Sequence, residues 1–276
     1  MNILRIAAFS EGNQGGNPAG VVILDTLPGE QIMQKTAAEV GFSETVFTAK
    51  TGDGWRTRYF APSFEVPFCG HATIALGAAL ALQEGDGIFP LILNQSRITV
   101  EGHHQNGKIS AALQSPPTWH KAATKEMTED ALNLFGLTYA DLNPDIPPAF
   151  IHGGADHFCL SLQSRDALKT MHYDFEKGRA LMRKHGWVTI LLNYAETKQL
   201  FHTRNPFAAG GVYEDAATGA ATAAFAGYLR DLNWPHGGVI EIIQGEDMGM
   251  LSRLRAEISP EKGSSIRISG AAHIME

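Results

Sequence analysis

Four residues of this chain are of kinds that move protons, and three of them stand where a turn runs into a helix. Cys69 and His71 flank Gly70 in "FCGHATIALGAALAL", residues 68–82, a run made otherwise of Ala, Leu and a few small residues. Asp215 lies in "EDAATGAATAAFAGYL", where Thr218 and Gly219 lead into a second small-residue run. Glu44 falls between Phe42 and Phe47 at the start of "ETVF". An imidazole titrates near neutral pH and can act as acid, base or hydrogen-bond partner. A thiol at a helix N-terminus is expected to have a lowered pKa, as a nucleophile or proton carrier does. A carboxylate between two phenylalanines is partly desolvated, which raises its pKa into the range of a general acid or base. Asp215 can receive a proton or orient a substrate. Each also has an ordinary structural use: His71 and Asp215 as caps, Cys69 as a small buried apolar group, Glu44 as a surface carboxylate.

The turns themselves add a binding function. The first turn of a helix carries N–H groups with no intrahelical partner and partial positive charge, so a carboxylate or phosphate binds there without Lys or Arg. Gly70 and Gly219 allow a ligand to approach the backbone. Other chemistries lack their patterns. No Cys-x-x-Cys occurs, and His103 and His104 have no partner at helical ligand spacing, so no metal is expected. There is no G-x-S-x-G elbow, and "EGNQGGNPAG" matches neither phosphate-loop pattern.

The elements that must position these residues follow from periodicity. The 276 residues are 44% hydrophobic and 18% charged, an ordinary globular composition with enough apolar mass for one large domain or two lobes. A net charge of −7 argues against nucleic acid as a partner. No apolar run reaches the roughly 20 residues that span a bilayer, the start has no cleavage pattern, and two cysteines read as free thiols, so a cytoplasmic protein without membrane contact is expected. Strands are expected near 3–9, 20–25, 43–50 and 55–62, a helix over 70–83, and three further strands before the two prolines of "SPPTW", residues 115–119. The pattern then restarts, with helices near 127–136 and 174–185, a second small-residue helix after Gly219, and closing strands near 238–244, 251–258 and 264–269.

"TRYFAPSFEVPFCGHATIALGAALAL" and "TRNPFAAGGVYEDAATGAATAAFAGYL" share an order and a spacing. Eleven residues separate Arg58 from Cys69 and eleven separate Arg204 from Asp215. A helix apolar on every side is a buried one. The expected fold is therefore α+β, in two pseudo-symmetric lobes, each a curved sheet or barrel wrapped around a central helix. The N-terminal lobe is expected over 1–115, joined by a C-terminal strand at about 264–276, and the C-terminal lobe over 116–263.

"GNPAGV" (16–21), "GFSETVF" (41–47), "FCGHAT" (68–73) and "EDAATGAA" (214–221) occur in an order that resembles the phenazine-biosynthesis PhzF-like proteins, of the diaminopimelate epimerase and proline racemase superfamily. The resemblance runs nearly end to end. It implies a diaminopimelate epimerase-like fold and a cofactor-independent active site in the cleft between the lobes. It implies Glu44 as catalytic acid/base, His71 and Asp215 as residues that hold or assist a small anionic carboxylate substrate, and Gly70, Thr218 and Gly219 as backbone contacts. Asn17 belongs to the N-terminal motif and Cys69 is placed among the substrate-binding residues. The family often dimerises, so a homodimer is the protein partner implied. Three departures stand out. Ala216 occupies the place of the second cysteine of two-thiol racemases, Ala220 that of a common Ser, and Met250 that of a common arginine. The expected activity is a proton-transfer isomerase. The alternatives are an epimerase or racemase of an amino or hydroxy acid using Cys69, and a non-catalytic small-anion binding protein.

Overall fold

The computed structural model describes residues 1–275, which form two compact units. The first comprises Met1–Gln114 and Met250–Arg253, with the segment that begins at Ser269. Its elements are β1 (Leu4–Ala8), β2 (Asn17–Leu24), α1 (Glu30–Val40), β3 (Glu44–Thr51), β4 (Gly54–Phe60), β5 (Glu65–Val66), α2 (Gly70–Glu84), β6 (Gly87–Ile92), β7 (Arg97–Gln105) and β8 (Lys108–Gln114). Strands β1 and β2 pair antiparallel, β2 and β3 parallel, β3 and β4 antiparallel, β4 and β6 parallel, and β6, β7 and β8 antiparallel. The C-terminal strand, Arg267–Ile274, pairs with both β8 and β1 and closes an eight-stranded barrel. A closed barrel has no exposed edge to pair with another chain.

Alternation along the strands decides what lies inside. On β3, Phe47 points outward and packs with Val22, Met33, Ala37 and Phe60 beneath α1. Its neighbours Val46 and Thr48 face in, and so does Glu44, at the same parity. Opposite Val46 stands Tyr59, whose hydroxyl meets Thr73 of α2 at 2.7 Å. Helix α2 fills the barrel, with every residue from Gly70 to Ala81 buried. Its small side chains are what this position demands. A Cβ on Gly102 of β7 would lie 2.1 Å from the carbonyl oxygen of Gly77 in α2. Backbone sits against backbone there, and neither can yield cheaply. Gly102→Ala is therefore expected to cost about 3 kcal/mol by overpacking, whereas Gly52→Ala, whose added carbon meets nothing within 4 Å, should cost little. Urea denaturation of the pair checks this.

The second unit comprises Ser115–Gly249 and Leu254–Ile268. It contains β9 (Trp119–Ala122), α3 (Lys125–Phe135), β10 (Ala149–His152), β11 (Asp156–Leu162), α4 (Arg165–Lys169), α5 (Phe175–His185), β12 (Thr189–Ala195), β13 (Leu200–Phe207), β14 (Val212–Asp215), α6 (Gly219–Asp231) and β15 (Val239–Gln244). Two strands straddle the units, β16 (Ser252–Glu257) and the C-terminal strand, now β17. The topology of the first unit recurs. Strands β10 and β11 pair antiparallel, β11 and β12 parallel, β12 and β13 antiparallel, and β13 and β15 parallel. One face carries a core of Phe135, Phe158, Leu160, Met182 and Trp187 beneath the surface helices. Against the other lies α6, buried from Ala221 to Arg230, with Gly153 so close that a Cβ there would meet the Ala224 nitrogen at 2.6 Å. This is the α+β fold expected from the repeat, a curved sheet around a central helix in each copy.

The shared arginine of the two repeats has a structural task that its pattern did not disclose. Arg58 donates from Nε to Glu65 Oε1 at 2.7 Å and from its Nη2 to Oε2 at 2.5 Å. Arg204 grips Glu214 in the same bidentate way, at 3.0 and 2.5 Å. Each pair ties a barrel strand to the short strand that leads into a central helix, and so sets where that helix begins. Two strands depart from the sequence expectation: β9 begins at Trp119, the last residue of the proline-rich linker, and β14 replaces a Gly-rich approach. Strand β17 extends to Ile274, and its Gly270 has the Phe9 ring where a Cβ would be, 2.5 Å away.

Candidate active site

The inner face of β3 and the first turn of α2 bring Glu44, Cys69 and His71 together. Glu44 Oε2 lies 3.4 Å from His71 Nε2. On the same nitrogen, Ser43 Oγ approaches to 3.4 Å. The other ring nitrogen, Nδ1, lies 3.3 Å from Cys69 Sγ. All three are buried, at 8%, 8% and 4% exposure for Glu44, Cys69 and His71. Burial pushes the Glu44 carboxyl above its ordinary range, opposed by hydrogen bonds from the Ser43 and Cys69 side chains. The imidazole thus has a thiol on one side and a carboxyl and a hydroxyl on the other. A proton can be held or exchanged at any of these positions.

The local fold explains this meeting. Cys69 is the N-cap residue of α2 in extended conformation, and Gly70 is its first helical residue. The cap is secured from the helix side: Thr73 Oγ1 donates to the Cys69 carbonyl at 2.7 Å, and Tyr59 holds Thr73. Asn17 opens β2, buried, two residues before Ala19, which stands opposite Glu44 in the parallel register. The three donor atoms of Glu44, Cys69 and His71 lie within 4.8 Å of one another, a set able to hold a metal ion. Ligand spacing within a single element does not reveal this set. These donors come from a strand and a helix turn.

The second unit holds the corresponding cluster at the start of α6. Thr218 is its N-cap and Gly219 its first helical residue. Thr218 Oγ1 donates to Asp215 Oδ2 at 2.6 Å. Asp215 ends β14 and is not the helix cap. Gln244, fully buried, fastens the turn: its Oε1 accepts from Thr218 N–H at 3.1 Å, and its Nε2 donates to the Asp215 carbonyl at 2.8 Å. Ser43 and Gln244 were both missed from sequence, although each adjoins a motif, in "FSETVF" and "QGED". Cys159 lies in β11, where burial pushes its thiol up to about 12. It is protonated at neutral pH and offers no second thiolate.

Comparison with known proteins agrees with this architecture. A crystal structure of a PhzF-family phenazine biosynthesis protein from Bacillus anthracis aligns with a TM-score of 0.87 at 22% identity, covering 99% of this chain and 96% of that one. A probable proline racemase from Agrobacterium radiobacter aligns with a TM-score of 0.68 at 11% identity, covering 99% and 90%. These place the fold in the class shared by PhzF proteins and proline racemases. The family model for phenazine biosynthesis-like proteins, PhzC-PhzF, matches residues 6–276. The trans-2,3-dihydro-3-hydroxyanthranilate isomerase of Pseudomonas aeruginosa is 33% identical over 275 residues, 96% of this chain and 94% of that protein. The chain belongs to the phenazine biosynthesis-like family and is a PhzF-like isomerase. Among the described residues no helix is long and apolar enough to cross a membrane.

Proposed function

We propose that the protein is an isomerase that moves a proton on a small carboxylate substrate without a cofactor, with Glu44 as general acid and base. The observation that carries this is the buried Glu44 carboxyl, raised in pKa by desolvation and touching His71 at the mouth of α2. A carboxyl so tuned can take a proton from carbon and return it to another atom. The α2 N-terminus, with Gly70 allowing close approach, stabilises the developing anion. His71 holds the substrate, with its ring fixed by Cys69 and Ser43. Asp215 and Thr218 form a separate polar cluster at the start of α6 in the second unit. The P. aeruginosa relative makes cyclic amino-hydroxy carboxylates the first substrates to try.

Incubation of trans-2,3-dihydro-3-hydroxyanthranilate, and of other cyclic and acyclic carboxylates, in D₂O tests the proposal by NMR. Deuterium entering carbon with migration of a double bond is the expected result. Tight carboxylate binding with no exchange would make the protein a binding module instead. An epimerase using Cys69 is the second reading, favoured by the 3.3 Å approach of Sγ to His71 Nδ1. Cys69→Ser separates the two. It is expected to keep turnover within about tenfold if the thiol only orients the imidazole, whereas a loss of about 10³-fold, with deuterium at a stereocentre and no double-bond shift, marks a thiol base.

A further inference from the structure

Asn205 on β13 is fully buried, and neither its Oδ1 nor its Nδ2 has a hydrogen-bond partner. Buried carboxamides are nearly always paired, because an unmet donor or acceptor is destabilising. Strand alternation gives the direction of the side chain. Phe201, Thr203 and Asn205 share one face of β13. On that face the Phe201 ring meets Phe225 of α6 edge-on at 5.0 Å, and Thr203 Oγ1 lies 3.4 Å from Gln244 Oε1. His202 and Arg204 turn to the opposite face, toward Glu246 and Glu214. In the antiparallel register Asn205 stands opposite Asp215, and directly opposed residues project to the same side. The unpaired carboxamide therefore points to where Asp215, Thr218 and Gly219 form the mouth of α6. The pairing shifts by one residue immediately beyond, between Pro206 and Phe207, where Tyr213 is the extra residue on β14.

The internal repeat sharpens the point. Arg204–Asn205 corresponds to Arg58–Tyr59, and Tyr59 is satisfied by Thr73 of its own central helix. In the second copy the same position carries an amide that makes no such bond. An apolar side chain would suit a buried strand face without penalty. A carboxamide there, with both its donor and its acceptor unmet, suits a ligand that offers one of each.

Resting on the reading of the protein as a carboxylate isomerase, we infer that Asn205 is a specificity-determining residue that reads a carboxylate bearing an amino group on the neighbouring carbon. Nδ2 donates to a carboxylate oxygen and Oδ1 accepts from the amino group. This is a two-bond match of the kind by which Asn reads paired donor and acceptor edges. A plain carboxylate leaves Oδ1 unmet and binds more weakly.

Calorimetric titration with anthranilate and with benzoate, which differ only by the amine, tests this in the wild-type protein and in Asn205→Leu. The wild type is expected to bind anthranilate at least about tenfold more tightly. Asn205→Leu should bind the two within twofold of each other, and without ligand it should melt at or above the wild-type temperature, since leucine removes two unmet groups. The inference is overturned if the wild type shows no preference or binds neither compound, if the preference survives in Asn205→Leu, or if that variant melts clearly lower, as a structural amide would require. The catalytic reading fails separately, by retained turnover in Glu44→Gln.

Discussion

Glu44→Gln should lose about 10²–10⁴-fold in kcat while KM changes little, because proton transfer by a placed carboxyl contributes a factor of that size and glutamine keeps the shape. The same substitution should make the protein more resistant to heat at neutral pH. Burial holds the folded-state pKa of Glu44 above its ordinary 4.5. Between those two values the native protein keeps a proton that the unfolded chain has released. The native state then binds more protons than the unfolded one, so stability falls as pH rises through that window. Glutamine has no proton to keep. The melting temperatures of wild type and variant should coincide in acid and separate as pH rises, with the variant higher. A variant that melts higher and turns over slowly shows that the site holds its base at a cost in stability. Turnover at the wild-type rate would remove Glu44 from the mechanism.

The candidate site was legible in part because its residues lie in short motifs at strand and helix starts, and the fold was legible because its central helices have no polar face. Both depend on local pattern. What escaped depends on pairing between elements, which local pattern does not encode. The Arg58–Glu65 and Arg204–Glu214 pairs look like ordinary surface charges in sequence, yet they fix the two helix mouths. Gln244 lies 26 residues from the Thr218 amide that it holds. The donor set of Glu44, Cys69 and His71 joins a strand to a helix turn 25 residues on, a spacing with no local period. Asn205 passed unnoticed because an unmet hydrogen bond is not a property of a sequence at all. Strands β9 and β14 were missed for another reason: they are four residues each and take their pairing from neighbours rather than from alternation of their own.

Acid should unfold this protein early, and His157 should be the main cause. Its ring is fully enclosed on β11, with Nδ1 2.7 Å from Thr189 Oγ1 and no partner for Nε2. Burial drives its pKa down from 6.5 to about 3, with a smaller contribution from His152. Below pH 6.5 the unfolded chain takes up a proton that the native state refuses, so stability falls by about 1.4 kcal/mol per pH unit until the lower value is reached. At pH 4.5 that amounts to about 3 kcal/mol, a large share of the 5–15 kcal/mol that holds a typical domain folded. Glu44 works in the opposite sense over part of the same range, since its raised carboxyl favours the native state as pH falls. The two effects can be told apart by substitution. His157→Gln keeps a side chain able to bond Thr189 but removes the titration, so the loss of unfolding free energy in urea between pH 6.5 and 4.5 should shrink by about 3 kcal/mol. Glu44→Gln should instead steepen the acid loss. If His157→Gln keeps the wild-type slope, the acid sensitivity belongs to other groups, and the enclosure of the ring has no consequence for the pH range in which the enzyme stays folded.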